Sequence, residues 1–247
     1  DVCGGLLPQS DIDHLKFMIS TMRFIPGGRY LYYAGRPAKF FNNCYLLKGE
    51  EDTREEWGQL ANRAMSCLSS GGGIGIDYSV FRAKDSILSR TGGVASGPIS
   101  LMLAVNEIGR QVMQGGSRRS AIYASLNWQH ADAEAFLHAK DWKKMPVAGT
   151  DKTMADLKEA DFNFACPLDM TNISLNWDTK FIKDYWNTGK LPDLWYKNTK
   201  QALSSAEPGF SFNFFENENE TLRNACTEVT SENDSDVCNL GSLNMSR

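Results

Sequence analysis

Apolar residues recur at helical spacing in several stretches of the chain. In residues 11–23, Ile12, Leu15, Ile19 and Met22 fall on one face, which predicts an amphipathic helix. The same periodicity predicts further helices at 50–68, 99–113, 131–140 and 194–206.

Short runs of β-branched and aromatic residues separate these helices. They predict strands at 40–47, at 121–126, within 162–175 and at 207–215. A glycine turn at 71–75 leads into one more strand, whereas 83–98 and 143–160 are polar or charged and irregular. Strands that alternate with helices are typical of α/β proteins, and this is the fold class that we expect.

The composition is that of an ordinary globular protein. The 247 residues are 42% hydrophobic and 23% charged, and the net charge of −4 gives no reason to expect a nucleic acid or a membrane as partner. No apolar run approaches the roughly 20 residues of a membrane span. Six scattered cysteines are unlike a secreted disulfide framework, so we expect a cytoplasmic protein with reduced thiols. The chain starts at Asp1 and stops just after a strand-like run, which indicates a fragment.

The histidines and cysteines do not have the spacing of a metal site. There is no C-x-x-C pair, and His130 and His138 lie eight residues apart, which is poor spacing for two ligands on one helix. We therefore expect the chain itself to bind no metal.

Three cysteines carry most of the chemical information. Cys226 has an amide, Asn224, and a carboxylate, Glu228, each two residues away; Cys238 follows twelve residues later, and Cys44 stands far upstream. One thiol with hydrogen-bonding neighbours and two thiols that could pair suit radical redox chemistry better than metal binding. Any one of these cysteines could instead be a packed core residue, since free cysteine is among the most buried residue types.

The remaining cysteines carry no such signal. Cys67 lies on the inward face of the helix predicted at 50–68, and we interpret it as a packed core thiol. Cys3 and Cys166 match no motif, and we interpret them as structural.

Glycine-rich stretches offer candidate phosphate sites. The run Gly71-Gly72-Gly73-Ile-Gly75 lacks the ending of a P-loop, so a plain turn is favoured over a phosphate site. Two other loops, 88–98 and 113–120, combine glycines with Arg90, Arg118 and Arg119. Guanidinium groups on glycine loops suit a triphosphate, although a solvated surface loop explains the composition equally well.

Six stretches together resemble the catalytic subunit of ribonucleotide reductase. They are Asn224-x-Cys226-x-Glu228, Cys238-Asn-Leu-Gly-Ser-Leu-Asn, Asn43-Cys44, Gly71-Gly-Gly-Ile-Gly-Ile-Asp, and the loops Thr91-Gly-Gly-Val-Ala-Ser-Gly-Pro and Gln114-Gly-Gly-Ser-Arg-Arg. The two loops most resemble the adenosylcobalamin-dependent branch of the family. The likeness covers about residues 22–247.

The resemblance implies a particular fold. The family forms a ten-stranded α/β barrel of two half-barrels, in which a finger loop presents the radical cysteine. This chain would supply the end of an N-terminal helical region (1–35), the first half-barrel with its effector loops (36–215), and the finger loop with the first strand of the second half-barrel (216–247). Cys44 and Cys238 would then lie on adjacent strands.

The resemblance also implies a reaction, the reduction of ribonucleotides to deoxyribonucleotides. A thiyl radical at Cys226 would abstract the 3′-hydrogen, Glu228 would accept the 3′-hydroxyl proton, and Asn224 would hold the sugar. Cys44 and Cys238 would supply a proton and two electrons and end as a disulfide. A dithiol of the thioredoxin or glutaredoxin kind would then reduce that pair.

Further residues would bind nucleotides. Asn43, Gly72 and Gly73 would lie near the substrate. A deoxynucleoside triphosphate effector would be bound by Arg90, Gln114, Arg118, Arg119 and an acidic residue, Asp52 or Glu51. A homodimer is a further expectation.

Some points stay open at the level of the sequence. Ala225 and Thr227 occupy spacer positions where the cobalamin branch often has proline and glycine. Within the family, the radical could come from a separate subunit instead of adenosylcobalamin. An alternative of another class is a nucleotide-binding regulatory module without chemistry.

Overall fold

The structure is a computed structural model that describes residues 5–38, 40–112, 119–214 and 219–246. The helices are α1 (Gln9–Ser20), α2 (Gly28–Tyr33), α3 (Arg54–Ser69), α4 (Pro98–Gln111), α5 (Ala133–Leu137), α6 (Met154–Ala160), α7 (Thr179–Thr188) and α8 (Asp193–Ser205). The strands are β1 (Phe24–Pro26), β2 (Cys44–Lys48), β3 (Gly73–Asp77), β4 (Ile122–Asn127), β5 (Thr171–Asp178), β6 (Gly209–Asn213), β7 (Leu222–Arg223), β8 (Thr230–Ser231), β9 (Asp236–Cys238) and β10 (Gly241–Leu243).

A mixed sheet organises the fold, so the predicted α/β class is confirmed. Among the described strands its order is β6-β5-β4-β3-β2-β9. The five strands β2 to β6 are parallel to one another, and β9 pairs with β2 in the antiparallel direction. Parallel neighbours need crossover connections, which α3 supplies between β2 and β3 and α4 between β3 and β4. The amino-terminal ends of β2, β3 and β4 therefore meet at one edge.

One face of this sheet is apolar and builds the main core. Its residues pack against α3 and α4, and they alternate along the strands with residues of the other face. The buried side chains of this core on the sheet are Leu47, Ile74, Ile76, Ile122, Ala124, Leu126, Ile173, Leu175 and Trp177. The helices α3 and α4 contribute Leu60, Ala64, Leu68, Leu101, Met102 and Val105.

The opposite face of the sheet is polar, which is unusual for a sheet of parallel strands. It carries Asp77, Ser125, Asn127, Asn176, Asp178, Ser211 and Asn213. These groups pair with one another: the Asn176 amide donates to Ser125 Oγ at 3.1 Å, and the Asn127 amide donates to Asp178 Oδ2 at 2.8 Å. The sheet therefore presents a hydrogen-bonding surface to whatever packs on this face.

A short hairpin, which we call the finger (residues 222–231), lies on this polar face. Its strands β7 and β8 are antiparallel, with Leu222 opposite Ser231 and Arg223 opposite Thr230. β7 contacts both β2 and β3. The turn of the finger contains the motif of Asn224, Cys226 and Glu228.

The strand and first helix on the amino-terminal side of β2 lie outside the main sheet. β1 pairs with β10 outside the main sheet, and α1 buries none of its residues within the described structure. Met22, which was expected on the apolar face of α1, lies beyond the end of the helix and is exposed.

Several elements differ from the pattern-based predictions. α6 was not predicted because it buries no residue, so its sequence has no apolar periodicity; a capping box of Thr153 and Asp156 starts it instead. α2, which begins at Gly28, was not predicted. α7, capped by the Asp178 side chain, was also missed, and the strand expected within 162–175 begins only at Thr171.

Candidate active site

Cys44 and Cys238, which are 194 positions apart in the sequence, are direct partners in the sheet. Cys44 is the first residue of β2, Cys238 is the last residue of β9, and the antiparallel register pairs their Cα atoms. Opposed antiparallel residues have Cα atoms about 4.5–5.5 Å apart, inside the range of about 4.4–6.8 Å that a disulfide requires. Both residues are buried, at 8% and 5% exposure, and both are free thiols. The pair is therefore placed to form a disulfide without moving the backbone.

The turn of the finger brings a third thiol to this pair. Asn224 and Ala225 are buried, whereas Cys226 is exposed. Cys44, Ala225 and Cys238 form a small cluster against which Val229 packs. Cys226 thus lies next to a buried thiol pair while its own sulfur stays accessible.

Two hydrogen bonds shape the turn around Asn224. The Thr227 N–H donates to the Asn224 carbonyl at 3.0 Å, and the Val229 N–H donates to Asn224 Oδ1 at 3.2 Å. Thr227 has a φ of 71°, in the left-handed region. The turn closes because Thr227 adopts this conformation, which glycine favours.

The acid and the amide of the motif both act on Cys238. Its thiol donates to Glu228 Oε1 at 3.9 Å, a long contact for a sulfur donor. Burial raises the pKa of Cys238, and the negative charge of Glu228 raises it further. The Asn224 amide lowers it by stabilising the thiolate, although its nitrogen forms no hydrogen bond of good geometry in the described structure. Because an amide nitrogen carries two N–H donors, Asn224 retains donor capacity within the site besides its influence on Cys238.

The other thiol of the pair is also held protonated. Burial raises the pKa of Cys44 to about 11, and the negative potential of ionised Cys226, Cys238 and Glu228 adds to the effect. A backbone hydrogen bond from Ala225 opposes it. The mutual influence of these groups shows that the three thiols and the Glu228 carboxyl share one environment, in which the buried pair carries its protons at neutral pH.

Glycines in β3 let the finger approach this closely. A Cβ on Gly73 would lie 2.8 Å from the Ala225 Cβ and 3.3 Å from the Cys44 sulfur. A Cβ on Gly75 would lie 1.7 Å from the Arg223 carbonyl oxygen, which no side chain can tolerate. Gly73 was predicted as a substrate contact, and its visible role in the structure is to make room for the finger.

Asn43 and Gly72 lie at the same edge. The Asn43 N–H donates to the Cys238 carbonyl, and the Asn43 carbonyl accepts from Gly73 N–H, both at 2.9 Å. Asn43 Oδ1 is buried and has no protein partner in the described part of the chain. A small pocket opens beside these residues. It is lined by Leu68, Gly71, Gly72, Gly73, Arg119, Ser120 and Ala121.

The expected effector residues lie on several different segments. Arg119 rests on the Phe162 ring, 4.1 Å from its centroid, and donates to Asn163 at 2.7 Å. Asp52 is paired with Arg82. Arg90 is exposed, and its charge helps the Arg54 hydrogen bond to lower the pKa of Glu55. Gln114 and Arg118 lie outside the described residues.

The remaining predictions concern thiols, metals and membranes. Cys67 is partly buried on α3 and Cys166 is buried beyond α6, both away from the finger, and Cys3 lies outside the described residues. In the described ranges, no three histidine, cysteine or acidic side chains gather as metal ligands would. None of the helices in those ranges combines the length and the hydropathy needed to cross a membrane.

Sequence reasoning missed the residue that supports the finger. Arg223 is only 6% exposed and donates from Nε to Ser211 Oγ at 2.9 Å. Its Nη2 donates to the Phe212 carbonyl and to Asn213 Oδ1, both at 2.7 Å. An arginine directly before the Asn224 motif was a visible signal, but its acceptors could not be named without the sheet register.

Comparisons with known proteins agree with the resemblance. The family model described as ribonucleotide reductase, barrel domain, matches residues 42–247. The vitamin B12-dependent ribonucleoside-diphosphate reductase of Thermoplasma acidophilum is 29% identical over 251 residues, which cover 96% of this chain and 31% of that protein. The ribonucleoside-diphosphate reductase subunit alpha of Chlamydia muridarum is 25% identical over 265 residues, which cover 92% of this chain and 25% of that protein.

A solved structure shows the same fold. The alpha subunit of the class Id ribonucleotide reductase of Actinobacillus ureae superposes with a TM-score of 0.72 at 14% identity, covering 98% of this chain and 43% of that chain. The expected α/β fold, part of a barrel, is therefore confirmed. The chain spans about a quarter to a third of the length of the curated relatives named above.

Proposed function

Because the chain belongs to the ribonucleotide reductase family, whose barrel model matches residues 42–247, we propose that it carries the radical and redox centre of a ribonucleotide reductase. The reaction replaces the 2′-hydroxyl of a ribonucleotide by hydrogen and so provides precursors for DNA. The observation that carries the proposal is the convergence of three thiols, Cys44, Cys226 and Cys238, with the Glu228 carboxyl in one environment.

The proposed reaction begins at the exposed thiol. A thiyl radical at Cys226 takes the hydrogen atom from C3′ of the ribose and becomes a thiol. Glu228 accepts the 3′-hydroxyl proton while the C2′–O bond breaks, and such general-base help contributes about 10²–10⁴-fold. The free amide N–H of Asn224 is a donor for the sugar hydroxyls.

The buried pair then supplies the reducing equivalents. Cys44 and Cys238 give two electrons and two protons: one hydrogen replaces the hydroxyl at C2′, and the other proton leaves with that hydroxyl as water. The two sulfurs join as a disulfide, which their register favours. Glu228 returns its proton to the 3′-oxygen, and Cys226 returns its hydrogen atom to C3′ and regains the radical. An external dithiol of the thioredoxin or glutaredoxin kind then reduces the disulfide.

The proposed radical source is adenosylcobalamin. When bound, this cofactor supplies the one-electron oxidation that turns the Cys226 thiol into a thiyl radical. The exposure of Cys226 fits this role, because a bulky group outside the finger can reach its sulfur while Cys44 and Cys238 are shielded. The B12-dependent relative from Thermoplasma acidophilum supports the cofactor, whereas the relative from Chlamydia muridarum is named as a subunit alpha.

A turnover assay in the complete reductase polypeptide tests the chemistry. We expect Cys226→Ser to abolish turnover, and Cys44→Ser or Cys238→Ser to block multiple turnovers with a dithiol reductant. Cys67→Ser, which removes a packed thiol on α3, is the matched control and should retain activity. Full activity of Cys226→Ser would instead support a regulatory nucleotide-binding module.

A second assay separates the radical sources. We expect the complete polypeptide to reduce ribonucleotides when adenosylcobalamin is added and no other subunit is present. Activity that requires a second protein subunit and ignores the cobalamin would exclude the cobalamin proposal and leave the role of Cys226 intact.

The nucleotide contacts are proposed from their positions. The edge of the sheet at Gly72 and Gly73, where the buried Oδ1 of Asn43 has no protein partner among the described residues, is the proposed substrate site. Arg119 and Arg90, with Asp52, remain the proposed effector contacts. We also propose a cytoplasmic location and a homodimer, as expected for an enzyme that needs reduced thiols and binds effectors.

A further inference from the structure

Arg223 lies in the stem of the finger, three residues before Cys226. It is a residue of β7 with only 6% of its surface exposed. A buried guanidinium is unfavourable unless its donors are matched. Here Nε and Nη2 of Arg223 donate to acceptors on one strand, which fixes the stem of the finger that carries Cys226.

The side chain of Arg223 reaches the far edge of the described sheet. Nε donates to Ser211 Oγ at 2.9 Å, and Nη2 donates to the Phe212 carbonyl and to Asn213 Oδ1 at 2.7 Å each. All three acceptors belong to β6, the outermost strand of the order β6-β5-β4-β3-β2-β9. The guanidinium thus ties the finger to β6 through a fork of bonds that a lysine ammonium cannot reproduce.

The backbone of the same residue is fixed on the opposite side. The Arg223 carbonyl lies against Gly75 of β3, where even a Cβ would meet it at 1.7 Å. Between these two attachments lies Tyr123 of β4, which is 1% exposed and is an electrostatic neighbour of the guanidinium. Arg223 therefore spans the polar face of the sheet from β3 to β6.

Little freedom remains between Arg223 and the reactive thiol. Asn224 is fully buried and holds the turn through its carbonyl and Oδ1, and Ala225 packs on Gly73 and Cys44. A shift of the stem would therefore carry the turn with it. Because Cys44 and Cys238 are fixed separately by the pairing of β2 with β9, such a shift changes the distance from Cys226 to the pair.

We propose that Arg223 is a positioning residue, which holds the finger between β3 and β6 so that Cys226 lies beside the Cys44–Cys238 pair. The consequence for turnover rests on the proposed reductase function. The geometric part does not, since it concerns only the relative position of three sulfurs.

Thiol cross-linking in the 247-residue chain measures the position of Cys226 relative to Cys44. In a Cys238→Ser background, dibromobimane alkylates Cys226 and then Cys44, with loss of two bromide ions, and peptide mass spectrometry at pH 9 follows the product. We expect Arg223→Met to slow the Cys44–Cys226 cross-link about tenfold or more, because the effective concentration of oriented groups falls steeply with displacement. Arg223→Lys should fall in between, since it keeps the charge but loses the fork.

A matched control separates positioning from folding. Lys140 is another buried cation, bonded to the Thr171 carbonyl and to Glu207, and it does not contact the finger. Lys140→Met should leave the cross-linking rate unchanged. With Cys238 present, all variants should form the Cys44–Cys238 disulfide in equal yield. An unchanged cross-link in Arg223→Met overturns the proposal, and so does a parallel loss of the disulfide, because Arg223 would then only stabilise the sheet.

Turnover of the complete polypeptide tests the functional consequence. We expect Arg223→Met to lower kcat about 10²-fold with a much smaller change in KM. If Arg223→Met slows the cross-link while Cys226→Ser remains active, the positioning role stands and the proposed reductase chemistry fails. If Cys226→Ser is inactive while Arg223→Met keeps full kcat, the reductase chemistry stands and the positioning role in turnover fails.

Discussion

Gly75 and Arg223 approach each other so closely that the Arg223 carbonyl occupies the space where a side chain of residue 75 would begin. A Cβ on Gly75 would lie 1.7 Å from the Arg223 carbonyl oxygen and 2.8 Å from its carbonyl carbon. Gly75 itself lies in β3, between Leu46 of β2 and Tyr123 of β4, so it cannot retreat. The finger can lie on the sheet only because this residue has no side chain.

We therefore expect Gly75→Ala to displace the finger and leave the apolar core on the other face intact. Overpacking of this kind costs about 1–3 kcal/mol or more. The free energy of unfolding from urea titration should fall, and the Cys44–Cys226 cross-link should slow as for Arg223→Met. Gly58→Ala is the matched control, since Gly58 is exposed on α3 with nothing within 4 Å, and it should stabilise by about 0.5–1 kcal/mol. An unchanged stability and cross-link in Gly75→Ala would contradict the close approach.

Thr227 is a β-branched residue held in the left-handed region, with a φ of 71°. The cobalamin-dependent branch, which the glycine loops of this chain most resemble, often has glycine at this spacer, and glycine adopts this conformation freely. The left-handed conformation costs other residues about 1–2 kcal/mol, while glycine loses more entropy on folding. We expect Thr227→Gly to raise the free energy of unfolding by roughly 0.5–1 kcal/mol.

The control for this change is Thr227→Ala. Alanine keeps the Cβ that causes the strain, so the free energy of unfolding of this variant should stay near that of the parent chain. Equal or greater stabilisation by alanine would mean that the threonine side chain, rather than the backbone conformation, is unfavourable there.

Local patterns were sufficient to predict most of the main sheet and the helices that cover it. Apolar periodicity predicted α3, α4 and α8 within a few residues, because each of these helices packs on the sheet or on its neighbours. α6 buries nothing and α2 starts on a glycine, so neither has a pattern to find. α1 was predicted although it buries no residue in the described structure, so periodicity reports an amphipathic sequence rather than burial itself.

The geometry of the site depended on pairings that no local pattern contains. The motif at Cys226 was visible, but the opposition of Cys44 and Cys238 follows from the register of β2 with β9, across 194 positions. The glycine run at 71–75 suggested either a turn or a phosphate site, whereas Gly73 and Gly75 also create space for the finger. Long-range contact, rather than local preference, decides the role of these glycines.

The raised pKa of Cys44 predicts a distinctive pH dependence. Burial raises this pKa from 9.0 to about 11. The unfolded chain thus releases the Cys44 proton at lower pH than the folded chain does. The contribution of protonated Cys44 to the free energy of unfolding is therefore complete below about pH 9 and is lost as the pH rises to about 11. Urea titrations from pH 8 to 11 should show this decline, and Cys44→Ser should show a shallower one. Because burial also raises the pKa of Cys67 to about 11, part of the slope should remain.

The rates of alkylation should rank the thiols by their exposure and by their pKa. We expect iodoacetamide at pH 7.5 to label exposed Cys226 first, whereas buried Cys44 and Cys67 react slowly and accelerate up to about pH 11. Mass spectrometry of the labelled peptides measures each rate. Fast labelling of Cys44 at neutral pH would show that the thiol pair is not shielded by the finger.

Glu228 should control the ionisation of Cys238. Burial raises the pKa of that thiol, and the charge of Glu228, together with the hydrogen bond to its Oε1, raises it further. Glu228→Gln removes the charge, so the pKa of Cys238 should fall but stay above its ordinary value because the burial remains. The rate of Cys238 alkylation against pH, measured by mass spectrometry, should shift to lower pH, since each pKa unit changes the thiolate fraction about tenfold below the pKa.

Two further variants test whether the pKa of Cys238 depends on the charge at residue 228 in particular. Glu228→Asp keeps the charge and should leave the profile closer to that of the parent chain. Glu232→Gln removes a carboxylate of equal charge that lies outside the contact between Cys238 and Glu228, so the Cys238 profile should move much less. If Glu232→Gln shifts the profile as much as Glu228→Gln does, net charge rather than the contact at 3.9 Å sets the reactivity of Cys238.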